Sequence, residues 1–94
     1  MPSWDIIVRG RVQGVGYRRT VIKCAKACGI TGFVENLVDG SVGIMAQGDE
    51  LRFETFCQMI RTGNRFIKIA DMYIKKLEPG EEEEILEYET FELH

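Results

Sequence analysis

Ninety-four residues is the length of one domain, and 45% hydrophobic with 29% charged residues is the composition of a soluble globular chain. No apolar run reaches the roughly 18 residues that span a bilayer, and MPSWDIIVRG lacks the basic flank and apolar stretch of a secretory signal. The net charge of −3 is unevenly spread: residues 1–26 carry Arg9, Arg11, Arg18, Arg19, Lys23 and Lys26 against Asp5 alone, a patch suited to a small anion rather than to a nucleic-acid backbone.

Residues Trp4 to Val12 alternate as a strand, with Trp4, Ile6, Val8 and Gly10 on one face and Asp5, Ile7, Arg9 and Arg11 on the other. Val21, Cys24, Ala25 and Cys28 then recur at i, i+3, i+4 and i+7, the stripe of an amphipathic helix, and Gly29 stands where a helix ends. ITGFVEN and SVGIMAQG are two short β-rich runs joined through LVDG, whose Asp-Gly predicts a hairpin. Leu51 to Thr62 repeats the helical stripe with Phe53, Phe56, Cys57 and Ile60, capped by Gly48-Asp49 before and Gly63 after. Phe66–Leu77 and Ile85–Leu93 are the last strand candidates, with PGEEEE between them as a solvated acidic turn.

That order, β-α-β-β-α-β with a short final strand, predicts an α+β ferredoxin-like split β-α-β sandwich in a single domain of residues 1–94. The sheet is expected to be mostly antiparallel, with four or five strands and both helices on one face. Cys24, Cys28 and Cys57 are odd in number and match no secreted disulfide framework, so they read as core thiols of a cytoplasmic protein. The single histidine, His94, leaves them no metal-ligand set.

The stretch VRGRVQGVGYRR, residues 8–19, carries the chemistry. A loop that leaves a strand and enters a helix exposes unpaired N–H groups, and glycines let the chain curl so that those amides converge on an anion. Gly14 and Gly16 occupy that junction and Arg18 follows, where a guanidinium can grip two phosphoryl oxygens. A tight turn with solvated arginines is the competing reading. Neither GxGxxG nor GxxxxGK[ST] is present, and a lone terminal histidine supports no Ser-His-Asp arrangement. Chemistry here would run without a histidine base, as phosphoryl transfer through a loose transition state permits.

GRVQGVGYR followed by GFVENLVDGSV resembles the acylphosphatase family over essentially the whole chain. The resemblance implies hydrolysis of the carboxyl-phosphate bond of acyl phosphates without metal or organic cofactor. It implies that the loop Gln13, Gly14, Val15, Gly16, Tyr17 and Arg18 holds the phosphoryl group through main-chain amides. Arg18 would neutralise charge in the transition state, and Asn36 would orient the attacking water. Phe33 stands where many members have Trp, Tyr17 where Phe is common, and Glu35 where Arg or Gln often precedes the Asn; an acidic group there would weaken anion binding unless its side chain points to the opposite sheet face, as strand alternation allows. The expected partner is a small acyl phosphate, with no nucleic acid and no membrane, and a monomer is the expected state. A silent anion-binding or regulatory module on the same scaffold is the alternative. An RNA-binding sheet is disfavoured because GSVGIMAQ lacks the aromatics such sheets display.

Overall fold

In the computed structural model, which describes residues 2–78 and 87–94, the first strand β1 (Ser3–Arg11) buries Trp4, Ile6 and Val8 and turns Asp5, Arg9 and Arg11 to solvent. The predicted alternation is therefore present. Helix α1 (Tyr17–Cys28) ends at Gly29, whose left-handed backbone (φ 69°) lets its N–H close onto the Ala25 and Lys26 carbonyls. Strands β2 (Thr31–Asn36) and β3 (Val42–Gln47) form the hairpin, tightened by the Leu37 N–H donating to the Ser41 oxygen at 2.9 Å. Helix α2 (Glu50–Arg61) begins where the Asp49 carboxylate accepts from the Arg52 N–H at 2.8 Å, and it buries Phe53, Phe56, Cys57 and Ile60, the predicted stripe.

One sheet holds five strands in the order β4-β1-β3-β2-β5, with β4 spanning Lys68–Lys76 and β5 Phe91–Leu93. The β2–β5 pair is parallel and the other three are antiparallel. Both final strands are shorter than predicted. Phe66 and Ile67 are turned by Asn64, whose side-chain oxygen accepts from both of their N–H groups, so β4 starts only at Lys68. The acidic turn, and the Ile85 and Leu86 that were to open the last strand, lie outside the described residues.

The core fills the space between the helices and one face of the sheet, and Trp4 of β1 stacks flat on Phe53 of α2 with centroids 3.8 Å apart. Each such fully buried large side chain contributes roughly 1.5–3 kcal/mol. The other face of the sheet is open: Ile7, Phe33, Glu35, Gly43 and Tyr73 line a groove of about 670 Å³ there. Because β1 and β2 both run antiparallel to the β3 between them, they point the same way. Val8 and Asn36 each lie opposite Val42, so the loop after β1 and the end of β2 meet at one end of the sheet.

Candidate active site

The loop between β1 and α1 owes its path to two glycines. Gly14 (φ 73°) and Gly16 (φ 81°) are left-handed, whereas Val15 between them is not. Alternating backbone handedness of this kind turns successive N–H groups toward one side and forms an anion-binding concavity. A side chain at either glycine would meet no protein atom within 4 Å, so the hollow over the loop is open. Gly16 is also the N-terminal cap of α1 and, having no side chain, offers the first amides of that helix no side-chain acceptor. Among the described residues, no main-chain hydrogen bond uses the N–H groups of residues 13–19; the first to be used is that of Thr20, which donates to Gly16. These donors carry the positive end of the helix dipole.

The loop is fastened at two points. Val15 is half-buried and packs on the core. The Gln13 side chain crosses to the β2–β3 hairpin, where its Nε2 donates to the Leu37 and Ser41 oxygens at 2.8 Å each. Two carbonyl acceptors demand the NH₂ end of the amide, so its orientation is fixed by chemistry. Sequence reasoning placed Gln13 among the phosphate-cradling residues through its main chain; its side chain serves the hairpin instead. Leu37 directly follows Asn36, and Gln13 thereby ties the loop beside that residue.

Arg18 lies half-buried in the first turn of α1, and its Nη1 donates to the main-chain oxygen of His94 at 2.8 Å. His94 is itself pinned. Its N–H donates to the Val34 oxygen at 2.8 Å, its ring stacks on Phe33 with centroids 4.3 Å apart and 9° between planes, and its Nε2 lies 3.1 Å from Glu92. Val34 and Asn36 share a face of β2, so two hydrogen bonds link Arg18 to the strand two residues before Asn36. The loop, Arg18 and Asn36 thus converge at one sheet end. Neither the Gln13 tether nor the His94 tether was found from sequence.

Asn36 is exposed as the last residue of β2. Glu35 lines the groove on the open face with Phe33, so its carboxylate is turned away from the helix side where the loop lies. Asp39 is engaged in the hairpin turn, where the Ser41 hydroxyl and N–H both donate to it and hold its carboxyl below the usual range. Arg9, Arg11 and Arg19 are exposed around the loop and enrich the local positive charge.

Tyr17 is 1% exposed, and its hydroxyl donates to the Ile60 oxygen at 2.8 Å, binding the start of α1 to the end of α2. Burial, reinforced by Cys24 and Cys57, raises its pKa strongly. The hydroxyl is therefore a structural donor and not an acid for the reaction. Cys24 and Cys57 are buried thiols as expected; burial pushes Cys57 up to about 11 and raises Cys24 as well. Among the described residues no three His, Cys, Asp or Glu side chains gather as a metal site, and no helix is long and apolar enough to cross a membrane.

The family model described as Acylphosphatase matches residues 4–92. An acylphosphatase of Clostridium acetobutylicum is 43% identical over 83 residues, covering 88% of this chain and 91% of that one. An acylphosphatase of Archaeoglobus fulgidus is 38% identical over 93 residues, 99% of this chain and 98% of the other. The crystal structure of acylphosphatase from Bacillus subtilis matches with a TM-score of 0.88 at 32% identity, over 100% of this chain and 99% of that one.

Proposed function

The chain belongs to the acylphosphatase family, and from that premise we propose how its residues hydrolyse an acyl phosphate. The phosphoryl group rests on the N–H groups of the Gln13–Arg18 loop, with the Arg18 guanidinium on its oxygens. Asn36 holds a water through its carboxamide, in line with the bond to be broken. The water oxygen attacks phosphorus, the P–O bond to the acyl oxygen breaks, and the electron pair leaves on a carboxylate. Both water protons depart with the phosphate, as dihydrogen phosphate. A carboxylate is a good leaving group and needs no acid, which suits a site built from amides, a guanidinium and a carboxamide. Position and charge neutralisation carry the rate.

The observation that carries this reading is the double tether. Gln13 fastens the loop beside Asn36, and His94 fastens Arg18 to the same strand. All these groups belong to residues 1–94, proposed as one catalytic domain that turns over as a single chain on a small acyl phosphate, in the cytoplasm and without nucleic acid. Hydrolysis of benzoyl phosphate tests it. Arg18→Ala and Asn36→Ala should each lower kcat/KM by roughly 10²–10³, the usual cost of one preorganised transition-state donor. Asn36→Ala should act on kcat and leave phosphate inhibition intact, whereas Arg18→Ala should weaken both. Wild-type rates in either variant would refute the assignment, and binding of phosphate without turnover in the wild type would favour the silent module.

A further inference from the structure

The sheet has two edges of unequal character. β5 closes one side with three residues, whereas β4 runs nine residues along the other and is exposed over most of its length. We propose that β4 pairs with β4 of a second copy of this chain, antiparallel and about a two-fold axis at Tyr73, to join two sheets into one of ten strands.

The main chain has the right phase. Leu77 donates its N–H to the Ser3 oxygen at 2.9 Å, and ladder bonds alternate, so Asp71, Tyr73 and Lys75 address β1. The N–H and C=O groups of Met72 and Ile74 consequently point outward. A two-fold axis at Tyr73 sets Met72 of each copy opposite Ile74 of the other and forms four main-chain hydrogen bonds. Tyr73, 68% exposed, meets its own counterpart across a non-hydrogen-bonded pair, where side chains approach most closely.

Charge selects this register. With the axis at Tyr73, Asp71 of each chain faces Lys75 of the other on the open face, twice over by symmetry. Moving the axis to Met72 sets Asp71 against Tyr73 and loses the charge match. Moving it to Ile74 leaves Asp71 facing Leu77. On the helix face the chosen register matches Met72 with Ile74, half-buried and 37% exposed in the single chain. Lys76 is drawn toward α2 by Glu50 at 2.7 Å, away from the joint. The register of β4 against β1 slips between Arg9 and Gly10, which leaves Ala70 as the extra residue and breaks the edge before Asp71, so pairing is confined to the segment that carries the matched charges.

One strand against one strand is a small interface, so the association is weak. The single chain prevails at assay concentrations, in keeping with the monomer expected from sequence, and pairs form toward millimolar concentration. The catalytic loop lies past the far end of β1 and stays open in the pair.

Sedimentation equilibrium from micromolar to millimolar protein tests this. Wild type should rise from the monomer mass toward twice that value. Asp71→Lys alone and Lys75→Asp alone should each stay monomeric, because each opposes like charges. An equimolar mixture of the two should regain the doubled mass, since in the mixed pair Lys at 71 faces Asp at 75 on one side and Lys75 faces Asp71 on the other. That recovery also shows that both variants are folded, and benzoyl phosphate turnover per chain should be unchanged throughout. Wild type that keeps the monomer mass at millimolar concentration overturns the proposal. So does a wild-type dimer that either single variant preserves, or a mixture that stays monomeric.

Discussion

Replacing Gln13 by alanine removes the two hydrogen bonds that hold the loop between β1 and α1 against the hairpin. Each bond contributes about 0.5–1.5 kcal/mol net, and the Ser41 oxygen still accepts from the Leu37 N–H, so the loss is roughly 1–3 kcal/mol. For a domain of this size that lowers Tm by on the order of 10 °C. Activity should fall further than stability, because Leu37 adjoins Asn36 and a displacement of about 1 Å between phosphate and water costs on the order of 10²-fold. Thermal melts paired with benzoyl phosphate kinetics, taken well below the melting range, separate the two effects. Gln13→Glu sharpens the comparison, since its carboxylate would face two carbonyl oxygens and should be worse than alanine at neutral pH. If Gln13→Ala melts lower yet keeps the wild-type kcat/KM, the side chain is a structural brace only and the positioning role is wrong. If neither quantity moves, the tether itself is wrong.

His94→Ala removes the stack on Phe33 and the contact with Glu92 while keeping the main-chain acceptor of Arg18. Inhibition by inorganic phosphate should weaken several-fold, on the order of one loosened hydrogen bond, and His94→Phe, which can still stack, should restore most of it. Cys57 gives a pH dependence of stability. Its folded pKa stands near 11 against an ordinary 9.0, so the folded state retains the proton that the unfolded state releases, and stability falls as pH rises through that window by at most about 1.4 kcal/mol per pH unit. Urea titrations at mildly and strongly alkaline pH should show that slope, and Cys57→Ala should reduce it, leaving the part that Cys24 and Tyr17 contribute with the same sign.

The elements most legible in the sequence were those with local periodicity. Phe53, Phe56, Cys57 and Ile60 recur at helical spacing and are all buried, and β1 alternates as written. The hairpin at Asp39-Gly40 and the closing Gly29 follow from backbone preferences that act within a few residues. The final strands were overextended because β5 has three residues and β4 has one face open to water, which leaves little pattern to read. At the site, the resemblance placed Arg18 and Asn36 but not what holds them. Gln13 reaches partners 24 and 28 positions away, and Arg18 a partner 76 positions away. Contacts of that range leave no periodic trace. Tyr17 looked like an aromatic kept for packing, and its bond to Ile60 was equally invisible.

The bond between Arg18 and His94 joins residues 76 positions apart. A nascent polypeptide would display its glycine loop early in synthesis, yet the guanidinium would gain its anchor only after residue 94 had been added and β5 had docked beside β2. Closing so long a loop is slow, since its entropy must be lost before the contact rewards it. Competence to hydrolyse substrate should therefore arrive only once β5 has docked beside β2. A chain shortened before β5 would carry the signature loop and still be a poor catalyst.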